Sequence, residues 1–169
     1  MRIVVALAML FAMFPAVAQT PALGERMVPF AALVGDWHGS GWIVTPQGRR
    51  AEVRSRETVT ARLSGNALLV EGRHFESGQP DRPVHDAMAM IVWDAPTGAY
   101  RMRSTLANGL NGDFAIEPRG ETIAWTMDTP GGRIDYLITI AGDNWTEQGT
   151  LTAPDGRQIP FMELRLTRQ

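Results

Sequence analysis

From Trp37 to its end the chain alternates apolar and polar residues with a period of two, the signature of half-buried strands. The alternation predicts strands over Trp37–Thr45, Arg49–Arg62, Ala67–Phe75, His85–Trp93, Ala99–Leu106, Asp113–Ile116, Thr122–Asp128, Arg133–Ala141, Trp145–Thr152 and Gln158–Thr167. Turn residues with a preset or positive φ separate them, among them Pro46-Gln47-Gly48, Ser64-Gly65-Asn66, Pro130-Gly131-Gly132 and Pro154-Asp155-Gly156. No interval is long enough for a crossover helix, which excludes βαβ units and leaves an antiparallel meander. A meander of this length removes its exposed edges by closing on itself. The expected fold class is all-β, an antiparallel up-and-down barrel of about ten strands. Ahead of it, Val28, Phe30, Leu33 and Val34 predict one or two helical turns that end at Gly35. The longest connection, Glu76 to Pro83, carries Pro80 and Pro83 and reads as a loop over the barrel mouth.

Parity assigns faces. Met102 and Ser104 share a face with Tyr100 and Leu106; Trp125 and Met127 with Ile123; Tyr136 and Ile138 with Ile134 and Ile140. These sets should point inward, giving an aromatic, aliphatic and methionine-rich interior. Such an interior suits either a cavity for a small apolar or amphipathic molecule or a barrel filled solid by its own side chains. His74 alternates with Leu68 and Val70, and Glu57 with Val53 and Val59, so both are candidates for polar contacts inside, with Ser104. Glu163 shares a face with Ile159 and Phe161. A buried carboxylate needs a partner or it holds its proton. Arg101 or Arg103 would be that partner if the parity of their strand were reversed, and would then anchor the head group of a ligand. The other reading makes these outward strand charges. His74 and His85 flank one hairpin, where Glu76 or Asp86 would have to supply a third ligand for a metal. The spacing matches no metal signature, and no metal is assigned.

Composition narrows the chemistry. Arg2, an apolar run from Ile3 to Phe14, Pro15 and Ala16-Val17-Ala18 have the layout of an export signal, residues 1–18. The run is too short to span a bilayer, and no later segment is long and apolar enough to do so. The expectation is a periplasmic or secreted protein with a flexible lead, 19–27, and one barrel domain, 28–169. Cysteine is absent, so packing and backbone hydrogen bonds alone must hold an exported domain together. All 16 basic residues are arginine, against 18 acidic ones, and they are interspersed without a basic stripe, so nucleic acid is not an expected partner. Without lysine or cysteine there is no Schiff-base or thiol chemistry, and no Gly-x-Ser-x-Gly elbow is present. No catalytic residue is assigned.

The run Gly35-x-Trp37-x-Gly39-x-Gly41, a short helix before it, ten strands and an arginine near the C-terminus together resemble the calycin superfamily of lipocalins, fatty-acid-binding proteins and nitrobindin-like haem barrels. The longer glycine run is nearer the nitrobindin opening. The layout, including Gly65-Asn66-Ala67-Leu68-Leu69-Val70-Glu71-Gly72 and Tyr100-Arg101-Met102-Arg103-Ser104, looks most like a bacterial family of exported lipocalin-like domains of unknown function, over Phe30 to Arg168. The resemblance implies that Gly35, Trp37, Gly39 and Gly41 close the barrel base, with Arg165 or Arg168 from the last strand over the Trp37 indole. It also implies a binding cavity; by the parity read above its wall would be Met102, Trp125, Met127, Tyr136 and Ile138, with Glu57, His74 and Ser104 as polar contacts. In nitrobindin-like barrels the haem histidine lies near the last strands. No histidine follows His85 here, so no haem or other cofactor is expected, and Tyr136 reads as a packed residue. The expected function is binding of a small hydrophobic or amphipathic molecule. The alternative is a filled barrel serving protein interaction or envelope maintenance.

Overall fold

The computed structural model describes residues 22–45, 47–79 and 81–169; the expected export signal lies outside them. Ten strands form one closed antiparallel barrel: β1 (Gly35–Val44), β2 (Arg50–Arg62), β3 (Ala67–Glu76), β4 (Pro83–Asp94), β5 (Ala99–Leu106), β6 (Asn111–Arg119), β7 (Thr122–Thr129), β8 (Gly132–Ala141), β9 (Asn144–Thr152) and β10 (Gln158–Arg168). Each strand pairs with its sequence neighbours, and β1 closes the ring against β10 from Trp37↔Arg168 to Ile43↔Met162. The up-and-down order sends the connections 77–82, 107–110 and 153–157 to one end, the mouth, and 63–66, 95–98 and 142–143 to the other, the base.

A 3-10 helix, η1 (Glu25–Leu33), plugs the base. Pro29 lacks the donor that a longer α-helix needs, and the Val34 N–H reaches back three residues to the Ala31 carbonyl at 3.2 Å. The helix begins three residues before the apolar alternation does, and Met27 is fully buried, so the last residues of the segment read as a flexible lead belong to the plug. Met27, Phe30 and Leu33 are all at most 1% exposed, each burial contributing about 1.5–3 kcal/mol at the upper bound. Phe30 meets Tyr100 edge-on with ring centroids 4.9 Å apart, and the Tyr100 hydroxyl donates to the Arg26 carbonyl at 2.7 Å.

Trp37 is the centre of this plug. It has no exposed surface, its indole N–H donates to the Leu33 carbonyl at 2.8 Å, and Trp145 packs edge-on against it at 5.4 Å. The arginine above it is Arg168, whose guanidinium lies 4.0 Å from the indole centroid. Arg168 also donates to the carbonyls of Val34 and Ala32 and pairs with Asp143 at 3.1 Å. Gly35, at φ +141°, leaves the space that Arg168 occupies: a Cβ there would stand 2.5 Å from its guanidinium nitrogen. Arg165, expected as an alternative for this role, points outward instead and pairs with Glu163, because it lies an odd number of residues from Arg168 on a two-residue period. Arg168→Ala should therefore cost about 2–3 kcal/mol in urea unfolding, with only partial rescue by lysine, which lacks the planar fork. Arg165→Ala should stay within about 0.5 kcal/mol of wild type; equal losses from the two would refute this assignment.

The wall is not uniform. The upper part of β6 pairs with β5 from Arg101↔Ala115 to Thr105↔Asn111, and its lower part pairs with β7 from Ile116↔Trp125 to Arg119↔Thr122. The strand thus changes partner at mid-height. Pro118, with no N–H to give, sits where β6 has only β7 beside it. Toward the mouth, β6 and β7 are not paired above Ile116 among the described residues.

Candidate functional site

Two groups of inward-facing side chains occupy the middle of the barrel. The first comes from β2, β3 and β4, where the register Ser55↔His74↔His85 places three polar side chains in one row across the sheet. Ser55 Oγ lies 2.7 Å from His74 Nδ1, and the His74 and His85 rings stack with centroids 4.8 Å apart at 14°. Glu57, one row closer to the base, approaches the same His74 nitrogen at 3.9 Å. Ser55, Glu57 and His74 are all buried. Burial pushes the His74 pKa down to about 3, with the neighbouring His85 adding to the effect, and lowers His85 as well. Burial raises Glu57 well above the usual carboxylate range, reinforced by the charge of Glu147. The Glu57–His74 contact is therefore a neutral pair: each ion loses more by leaving water than it gains from its neighbour. Gly72 faces Glu57, and its missing side chain makes room for the carboxyl, which would otherwise be struck by a Cβ at 2.6 Å.

A serine, a histidine and a glutamate this close suggest a catalytic triad, but the geometry is wrong for one. Hydroxyl and carboxyl both approach Nδ1, so the ring cannot relay a proton between them through its two nitrogens. The acids considered as metal ligands are engaged elsewhere: Glu76 takes Arg49 at 2.7 Å and Asp86 takes Arg73 at 3.3 Å. Among the described residues no group of three metal-ligating side chains converges.

The second group lies across the barrel on β6 to β9. Trp125 and Tyr136 are direct cross-strand partners whose rings stack in parallel with centroids 3.9 Å apart, and Phe114 leans on Trp125 at 5.1 Å. Gly149, opposite Tyr136, leaves the space for its ring. Glu147 shares the inward face of β9 with Trp145 and Gly149. Its pKa is pushed up to about 7 by burial, partly offset by the Trp145 indole N–H aimed at it. That N–H makes no hydrogen bond of normal geometry and is otherwise an orphaned donor on a 3% exposed side chain. Glu147 in turn helps to raise Glu57 and Tyr136, after burial, which is the larger cause in both. Although deep in the barrel, Glu147 is only half-buried, as are Ser104, Phe114, Trp125 and Met127 on the inner wall.

All eight side chains expected to line a cavity, Glu57, His74, Met102, Ser104, Trp125, Met127, Tyr136 and Ile138, face the interior. They fall on opposite walls: Glu57 and His74 on one, the aromatic stack with Ile138 on the other. Sequence reasoning missed Glu147, although parity pointed to it, since Trp145, Gly149 and Leu151 mark the same face. The arginine anchor does not form. Arg101 and Arg103 share Asp113 on the outer surface, at 2.8 and 3.3 Å, and Glu163 is likewise outside with Arg165. His38 is exposed. Outside the barrel, a shallow groove of about 660 Å³ crosses β3 to β6 and is lined by Leu69, Met88, Met90, Arg103, Thr105 and Asp113, among others.

No protein-family model matches the chain, and its sequence matches no curated protein. Among solved structures the fold is similar to Rv2717c from M. tuberculosis, with a TM-score of 0.65 at 16% identity, covering 88% of this chain and 99% of that one. It is also similar to the S-type phycobiliprotein lyase CPES from Guillardia theta, with a TM-score of 0.53 at 12% identity, covering 83% and 90%. At these identities the likeness is one of fold alone, and this chain's own fold is a closed ten-stranded antiparallel barrel.

Proposed function

We propose that this is an exported binding protein whose barrel holds one small amphipathic molecule, without a resident cofactor. The observation that carries this reading is the unmatched polarity of the interior. Among the described residues the Trp145 N–H is buried without a hydrogen-bond partner, and burial raises the inward-facing carboxyls of Glu57 and Glu147. A core built only for stability would replace them with aliphatic side chains. Facing them, Trp125, Tyr136, Met102 and Ile138 offer an apolar wall for the body of a ligand. Similarity to a phycobiliprotein lyase is compatible with this reading through the fold.

Native mass spectrometry of protein purified from its own source should show a retained small-molecule mass. The stripped protein should enhance the emission of the neutral dye N-phenyl-1-naphthylamine while quenching its own tryptophans. Trp125→Ala should weaken dye binding by about tenfold through lost apolar contact. A second reading is favoured by the outer groove, where Met88 and Met90 are 47% and 40% exposed: an interaction module with a filled barrel. No retained mass and no dye response would decide for it.

A further inference from the structure

We propose that the outer face of the barrel carries a site for the phosphate of an organic phosphate monoester, held by Arg54 and Arg56 of β2. The site lies on the far side of the wall from the lumen and stands whether or not the lumen holds a ligand.

Arginine pairing in this barrel follows a pattern that β2 breaks. Arg50 pairs with Glu52, Arg119 with Glu117, Arg133 with Asp135 and Arg165 with Glu163, each two residues away on the same strand. Arg73 takes Asp86 across the β3–β4 ladder, and Arg101 and Arg103 share Asp113. Arg168 takes Asp143, and Arg62 donates to the Ala61 carbonyl. Among the described residues Arg54 and Arg56 are the only strand arginines with neither an ion pair nor a hydrogen bond. The register gives them no acid. Arg54 stands between Ser40 and Phe75, and Arg56 between His38 and Arg73. Glu52, two residues before Arg54, is held by Arg50. Like charges in neighbouring positions of a sheet cost stability, so stability alone would place an acid among them. A bound anion supplies the missing charge.

The surface is also shaped for one. A depression of about 200 Å³ opens between these side chains, lined by His38, Gly39, Arg54, Ser55, Arg56 and Phe75. Gly39 and Ser55 are cross-strand partners with inward parity, so their backbone forms its floor. The exposed side chains of His38, Arg54 and Arg56 stand around it, and the half-buried Phe75 closes one side. No carboxylate lines it. Arg73, next in the row, turns its guanidinium to Asp86 at 3.3 Å.

Chemistry selects the class of anion. Arginines two residues apart on one strand have Cα atoms about 6.6 Å apart, so both guanidiniums can close on one ion from two sides. A carboxylate is filled by a single fork. A phosphate monoester has three terminal oxygens and enough charge for both. His38 offers a ring nitrogen from β1, and Phe75 offers apolar surface to the organic substituent.

Nuclear magnetic resonance of the isotope-labelled protein tests this, with chloride holding the ionic strength constant. Phenyl phosphate should give saturable shifts at the Gly39 and Ser55 amides and at the Arg54 and Arg56 side chains. Half-saturation should come at about tenfold lower concentration than for benzoate, with inorganic phosphate between them. Arg54→Ala and Arg56→Ala should each weaken phenyl phosphate by about fivefold to tenfold. Both positions are exposed, so the variants should keep the wild-type melting temperature within a few degrees. Arg133→Ala, which removes an ion-paired arginine on β8, should leave the affinity unchanged. Phosphatidylcholine vesicles with and without phosphatidic acid separate the sources. Co-sedimentation that needs phosphatidic acid and both arginines assigns a lipid head group; phenyl phosphate binding without it assigns a soluble ester. Shifts that never saturate, that are as large around Arg133, or that survive both substitutions would overturn the site. Benzoate binding as tightly as phenyl phosphate would overturn the phosphate.

Discussion

Gly39→Ala should lower the melting temperature by about 6–12 °C, corresponding to a loss of about 3 kcal/mol for a domain of this size. A Cβ on Gly39 would stand 2.7 Å from the Leu166 Cα and closer still to the Arg165 carbonyl; on Gly41 it would stand 2.8 Å from the Leu164 Cα. In both cases the obstacle is backbone of β10, which has no side-chain rotamer through which to yield. The two strands meet here to close the ring, so the clash acts on the bond that makes the sheet a barrel. Gly41→Ala should behave alike. Ser40→Ala, between them and facing outward, should stay within about 0.5 kcal/mol of wild type. Equal melting temperatures for Gly39→Ala and Ser40→Ala would mean that β1 and β10 do not approach so closely.

Stability as a function of pH should show a plateau between about pH 4.5 and 6.5, falling on either side. The signs follow from which state holds more protons. The unfolded chain releases the Glu147 proton near 4.5, whereas the folded barrel keeps it to about 7. Above 4.5 the native state is therefore the more protonated one, and stability falls as pH rises, by up to about 3 kcal/mol for this group. Glu57 acts in the same direction. The imidazoles act oppositely. Unfolded His74 is protonated below 6.5, folded His74 only below about 3, so stability is lost as pH falls through that interval, and His85 adds to the loss. Two acids and two imidazoles oppose each other between 4.5 and 6.5; outside that window one pair acts alone. The exposed Asp113, Glu76 and Asp155, lowered by their arginines, add a small further loss in acid. Glu147→Gln should flatten the alkaline arm in urea unfolding at pH 8 while leaving the acid arm in place. A wild-type stability that keeps rising from pH 6.5 to 8 would contradict the neutral interior.

Much of this was legible in the sequence because strand parity is a two-state code. Once Trp125 and Tyr136 were inward, their neighbours' faces followed, and the turn glycines and prolines supplied the strand count. Where parity was read, the side chains lie where it puts them, and parity also separates Arg168, over Trp37, from Arg165, which faces outward; the resemblance had left the two open. What parity cannot give is which residues meet across the lumen. Glu57 and Glu147 lie 90 positions apart in sequence, on strands separated by β1 and β10, and only closure of the ring puts both on one inner surface. The neutral Glu57–His74 pair was likewise invisible, since it depends on how much water the barrel excludes. Strand ends were displaced for a simpler reason: β6 runs through Pro118 because that stretch needs no donor on one side, an allowance that sequence alone does not announce.

The change of partner along β6 has a mechanical consequence. A hoop of staves is strongest where every stave is laced on both sides, and near the rim β6 is laced only to β5. The Phe114 ring lies folded back over Gly112 along that slack line, beside the stacked tryptophan and tyrosine. Along that line side-chain packing, not backbone rungs, joins β6 to β7, so the flank can yield there while the stopper at the base stays seated.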